Sequence, residues 1–187
     1  MNKNLYKMLK DYVPYCEEEK VEKEVMLKYL EKEPDIFTRD NEVAHFTTSA
    51  WIVNKDRNKV LMIHHNIYNT WAWIGGHADG DKDLYHVILK EIEEESGLID
   101  VKLLYPDIYG LNIITVEHHI RKGKYVPSHV HFDIEFLFEA DENLDIRIQE
   151  DENSGVEWIP FSDIDSKVEE EKLKPIYKRL INKLERI

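Results

Sequence analysis

Positive charge is what this chain has least of. Its 187 residues carry 25 Lys and Arg against 38 Asp and Glu, a formal net charge of −13. That balance argues against a basic face that would hold nucleic acid by its phosphates. Cysteine is almost absent: the single Cys16 rules out an internal disulfide and fits a reducing cytoplasm. No apolar run approaches the roughly 20 residues of a membrane span, and the polar opening MNKNLYKMLKD is not that of a signal peptide. No internal repeat or low-complexity linker is visible. Hydrophobic residues make up 42% of the chain, with four Trp, ten Tyr and six Phe, which excludes disorder as the overall state. The length permits one or two domains with a substantial core.

The most informative stretch runs from Gly76 to Leu98, GHADGDKDLYHVILKEIEEESGL. A Gly-bearing turn leads into a helix whose second half carries Lys90, Glu91, Glu94 and Glu95, closed by Gly97. Glu91, Glu94 and Glu95 stand at i, i+3 and i+4, within one turn, where like charges repel. Projected at about 100° per residue, Leu84, Val87, Ile88 and Ile92 form an apolar arc. Glu91 and Glu95 fall inside that arc, Glu94 lies at its boundary, and Asp83, His86, Lys90 and Glu93 face solvent. Carboxylates on a core-facing stripe are unfavourable unless paired or bound to metal. Hard oxygen ligands suit Mg²⁺ and Mn²⁺. The segment reads as a metal-binding helix.

This segment resembles the Nudix hydrolase signature: Gly, five residues, Glu, seven residues, then Arg-Glu-apolar-any-Glu-Glu-any-Gly-apolar. Gly76, Glu91, Ile92, Glu94, Glu95, Gly97 and Leu98 match in register. Lys90 stands in place of the Arg, and Lys82, flanked by Asp81 and Asp83, in place of the first Glu. Compatible strands extend the likeness to about residues 43–165. The resemblance implies an α/β (α+β) fold, an α/β/α sandwich around a mixed β-sheet, here with an N-terminal helical extension. It also implies a hydrolase of phosphoric anhydride bonds that uses Mg²⁺ or Mn²⁺. The Gly76 carbonyl, Glu91, Glu94 and Glu95 would hold the metal, with Lys90 in the role of the orienting Arg. An acid from QEDENSGVEW (149–158) would complete the metal site or act as general base. Glu152 is the first choice because it lies nearest the strand, with Glu150 and Asp151 behind it. Two alternatives remain: a nucleotide-sensing module whose catalysis has decayed, which Lys82 and Lys90 allow, and a diphosphate isomerase. The isomerase chemistry uses a site cysteine, and Cys16 lies in the leader.

Residues 1–42 read as a helical extension, and residues 43–187 as the Nudix domain with a C-terminal helix. In the extension, EEEKVEKEVMLKYLEKEPD carries Val21, Val25, Tyr29 and Leu30 near helical spacing and stops before Pro34. It either packs on the domain or makes a dimer contact. Strands are expected over 45–54 and 59–66, joined at KDRN, then over 101–120, 128–141 and 155–161. Val130, Phe132, Ile134, Phe136 and Phe138 would share one face. Residues 162–187 read as an amphipathic helix with Leu173, Ile176, Leu180 and Leu184 on one side.

The substrate is expected to be a small nucleotide or another diphosphate, handled by a monomer or homodimer. Trp71 and Tyr125 are candidates to stack on a base, and Arg121 and Lys124, with Lys122, to steer phosphate. His118, His119, His129 and His131 do not read as a metal cluster, since adjacent strand residues point oppositely. His129 and His131 share a face and are candidates for contact with substrate phosphate.

Overall fold

The computed structural model describes residues 4–33, 35–121 and 123–187, and of Arg121 the backbone only. Among the described residues two α-helices come first, then four strands, a third helix, six strands and two closing helices. Their contacts divide it into two compact units: Met1–Thr48 with Gly76–Val87 and Asp107–Glu135, and Ser49–Gly75 with Ile88–Pro106 and Phe136–Ile187.

In the first unit, helices α1 (Leu5–Asp11) and α2 (Glu17–Lys32) lie within residues 1–42. α1 was not apparent from the sequence; Asn4 caps it by accepting the amides of Tyr6 and Lys7. The buried stripe of α2 centres on Glu19 and Met26, whereas Val21 is exposed. Glu19 can sit inside because the Tyr12 hydroxyl and the Tyr15 amide donate to it at 2.5 and 2.7 Å. α2 packs on strand β6 (Gly110–Val116), where Glu22 accepts the amide of Ile113 at 3.1 Å, so the extension docks within its own chain.

Strands β1 (Ala44–Val53), β2 (Lys59–His65) and β9 (His129–Glu139) lie within two residues of their expected bounds. The hydrogen-bonded path runs β10-β2-β1-β9-β5, with β3 (Thr70–Ala72) on β2, β4 (Ile74–His77) on β1 and β6 on β9. Val130 donates to Val43, and Ala140 to Val53, at the same sequence offset, so β1 and β9 run parallel. β2 pairs antiparallel with both β1 and β10 (Asn153–Pro160), and the sheet is mixed.

Two expectations are corrected, and one feature was not anticipated. The stretch 101–120 is not one strand; it breaks into β5 (Lys102–Leu103), β6 and the start of β7 (His119–Arg121), and His118 lies between β6 and β7. Residues 162–187 are not one helix. A 3-10 turn (Phe161–Asp163) and α4 (Ile164–Lys167) precede α5 (Lys174–Leu184), which begins with Pro in its first turn and centres its buried face on Tyr177. Finally, β9 is buried on both faces, since Asp133, Glu135 and Leu137 are as inaccessible as the phenylalanines between them. Parallel pairing of this kind removes the polar face that alternation leads one to expect.

Candidate active site

Helix α3 (Leu84–Ser96) carries the glutamates. Asp83 opens it by accepting the amide of His86 at 3.3 Å. Gly97 closes it at φ +77°, its amide donating to the Glu93 carbonyl at 2.9 Å. A Cβ on Gly97 would stand 2.7 Å from Arg147 Cγ. Gly97→Ala therefore combines a left-handed backbone with a close contact, and is expected to lower the melting temperature by about 3–6 °C in a thermal melt. An unchanged melting temperature would show that the helix end yields without strain.

Leu84, Val87, Ile88 and Ile92 are buried, as the arc requires. On the same arc Glu95 is only 4% exposed, and Glu91 is half-buried. Glu91, Glu95 and Glu152 each bring a carboxylate oxygen to within 4.8 Å of the other two. Glu152 is exposed in the turn before β10. Asn153 fixes that turn to the helix by donating its side-chain amide to the Glu95 carbonyl at 3.0 Å. The Glu95 carboxylate accepts the Gly75 amide at 3.2 Å.

Burial, and then the charge of Glu91, push the Glu95 carboxyl up to about 9. The Gly75 amide opposes that shift, and the charge and hydrogen bond of Glu152 add to it. At neutral pH and without a cation Glu95 is thus protonated. The donor set fits a hard divalent cation: three carboxylates bring oxygens within 4.8 Å of one another, one of them deeply buried.

Glu94 stands apart from this convergence. It is exposed and pairs with Lys90 at 3.3 Å across one helical turn. Lys90, in the position of the family's Arg, is exposed on the same side. Glu94→Gln is therefore expected to lower turnover at least about tenfold less than Glu95→Gln, in parallel assays at saturating metal. Equal losses would mean that Glu94 leaves Lys90 to bind metal. Gly76 is half-buried in β4, and Glu150 and Asp151 are exposed beside Glu152.

The substrate candidates do not form one group. Trp71 on β3 stands edge-on to His64, with the Lys167 ammonium 5.1 Å from its ring centre. Lys124 and Tyr125 are exposed on β8 (Lys124–Val126), which pairs with β7, and the Tyr125 ring lies 5.8 Å from that of His118. The Arg121 side chain and Lys122 lie outside the described residues. His129 is buried and His131 half-buried, and both turn toward His45.

A glycine turn, a helix with inward carboxylates and a third acid from a distant loop make the arrangement that the signature implies for hydrolases of phosphoric anhydride bonds. The NUDIX domain family matches residues 43–184, and the chain belongs to the Nudix family as a hydrolase of that class. Among solved structures, a Caenorhabditis elegans Ap4A hydrolase binary complex matches with a TM-score of 0.57 at 13% identity, over 75% of this chain and 99% of that one. A NUDIX-family hydrolase from Clostridium perfringens gives a TM-score of 0.52 at 20% identity, over 75% and 97%. An Escherichia coli dihydroneopterin triphosphate pyrophosphohydrolase gives 0.54 at 12%, over 73% and 94%. These likenesses establish the fold implied by the signature. No curated protein matches the sequence. Among the described residues, no helix is long and apolar enough to cross a membrane.

Proposed function

We propose that this chain is a Mg²⁺- or Mn²⁺-dependent pyrophosphohydrolase acting on a nucleoside diphosphate linked to another group, or on a nucleoside triphosphate. The observation that carries the metal dependence is the convergence of Glu91, Glu95 and Glu152 within 4.8 Å, on the helix that bears the Nudix signature. The names of two similar structures, an Ap4A hydrolase and a dihydroneopterin triphosphate pyrophosphohydrolase, support a substrate with a polyphosphate joined to a heterocyclic group.

Glu91, Glu95 and Glu152 would hold the cation; the resemblance adds Glu94, which would first have to leave Lys90. When bound, the cation supplies Lewis acidity and neutralises the charge of the diphosphate oxygens. Glu95 must release its proton before it can ligate. Glu152, the most exposed of the three, would accept a proton from the attacking water as the new P–O bond forms and the anhydride P–O bond breaks. The leaving phosphate departs with the other half of the substrate, and a nucleoside monophosphate is one product. Lys124 and Arg121 would steer phosphate, and Trp71 and Tyr125 would offer stacking surfaces. Residues 1–42 would serve as an extension to a catalytic domain of residues 43–187, working in the cytoplasm.

The test is a substrate panel at millimolar Mg²⁺: ADP-ribose, dinucleoside polyphosphates, nucleotide sugars, (deoxy)nucleoside triphosphates and non-nucleotide diphosphates, with products resolved chromatographically. Release of a nucleoside monophosphate that stops on chelation is expected. Turnover of the non-nucleotide compounds alone would overturn the substrate class. Nucleotide binding without turnover would favour a sensing module.

A further inference from the structure

A second group of metal-ligating side chains lies in the first unit and consists only of histidines. His45 on β1, His77 at the end of β4 and His131 on β9 each bring a ring nitrogen to within 4.8 Å of the other two. β4 and β9 both neighbour β1, so one residue from each of three adjacent strands meets on one face. The ring centres of His77 and His131 are 4.7 Å apart, and each lies 5.1 Å from that of His45. His129, two residues before His131 and on the same face, adds a fourth imidazole. Its Nε2 is 3.2 Å from that of His131.

The tautomers follow from backbone partners. A carbonyl only accepts, so His45 Nδ1 must carry the proton it directs at the Asn41 carbonyl, 3.0 Å away. His129 Nδ1 likewise donates to the Pro127 carbonyl at 2.9 Å. In the neutral rings the Nε2 of His129 then accepts from that of His131 at 3.2 Å, and the Nε2 of His45 presents a lone pair. His45 is 4% exposed, and its buried Nε2 has no hydrogen-bond partner. A backbone carbonyl that fixes the far nitrogen, leaving the near one as a lone pair, is the usual support of a metal-ligating histidine.

The ligand's charge follows from the same geometry. Phosphate needs N–H donors, whereas inward lone pairs need an electrophile. Arg39, whose charge acts on the rings of His45 and His77, is itself engaged by Asp79 in a two-point ion pair at 2.7 and 2.8 Å. Nitrogen donors select borderline transition metals over Mg²⁺.

We propose that His45, His77 and His131, with His129 as a fourth candidate ligand, form a binding site for a borderline divalent transition metal of the Zn²⁺ class. This site is distinct in donor chemistry from the carboxylate cluster, and it would tie β4, β1 and β9 together at one point.

The experiment strips the full-length chain with a chelator, then titrates it with Zn²⁺, or with Co²⁺ as a spectroscopic reporter, in millimolar Mg²⁺. One equivalent is expected to bind and to give the intense visible bands of tetrahedral Co²⁺. Binding should persist in the Glu91→Gln/Glu95→Gln double variant. It should weaken by at least about 100-fold in His77→Ala and His131→Ala. X-ray absorption at the Zn edge of the wild-type chain counts ligands whether or not those variants fold, and at least three imidazoles are expected. The proposal is overturned by a shell with fewer imidazoles, by no stoichiometric binding in the presence of Mg²⁺, or by binding lost with the glutamates and kept without His77.

Discussion

Glu95→Gln is expected to lower turnover by at least about three orders of magnitude while leaving the chain folded. Glutamine keeps the size of the side chain and an oxygen that can accept the Gly75 amide, so packing should survive. What it removes is the negative charge at the most buried point of the carboxylate cluster, where low polarity makes attraction for a cation strongest. Glu91→Gln should act in the same direction. The check is turnover over a range of Mg²⁺ and Mn²⁺ concentrations, with circular dichroism to confirm folding. Turnover within tenfold of wild type at saturating metal would remove Glu95 from the proposed chemistry.

The second large effect concerns pH. The Glu95 carboxyl is raised by burial to about 9 in the folded chain, from an ordinary value of 4.5. Between these values the folded state binds more protons at this site than the unfolded one, so its contribution falls as pH rises. Without metal, wild type should therefore lose stability relative to Glu95→Gln as pH goes from about 5 to about 9. The variant should melt at least about 5 °C higher at the alkaline end. Divalent metal reverses the order, because only the wild-type carboxylate can bind it. Each metal ion must displace that proton, so apparent affinity should rise about tenfold per pH unit until about pH 9. Melting curves and metal titrations across this range test both statements. Affinity independent of pH from 6 to 8 would mean that Glu95 is already ionised without metal.

Much of the carboxylate site could be read from the sequence because one helix encodes it. Periodicity alone set Glu91 and Glu95 on the apolar arc; the family resemblance pointed to the acidic loop, and nearness to the following strand favoured Glu152 within it. The outward turn of Glu94 was also within reach, since Lys90 stands four residues before it. The histidine cluster was not. His45 sits in an apolar strand and His77 inside a loop already accounted for, and they meet His131 only because β1 and β9 run parallel. No local pattern reports which distant strands become neighbours. The same blindness applied to β9, where burial of both faces put Glu135 inside beside the Asn112 amide that donates to it. It applied again to 101–120, where one apolar stretch became several short pieces.

The turn that carries Glu152 has a simple closure. Asn153 donates its backbone amide to the Gln149 carbonyl at 2.8 Å, and its side-chain oxygen accepts the Gln149 amide at 3.3 Å. With its side-chain amide on the Glu95 carbonyl, this one residue staples both ends of residues 149–153 to the helix. Within that staple the exposed positions 150–152 form an interchangeable cassette. Their side chains can be rewritten without disturbing the frame, whereas one added or deleted residue would carry the acid out of reach. The frame thus depends on the length of the loop more than on the side chains at 150 and 151, while Glu152 depends on that length for its reach.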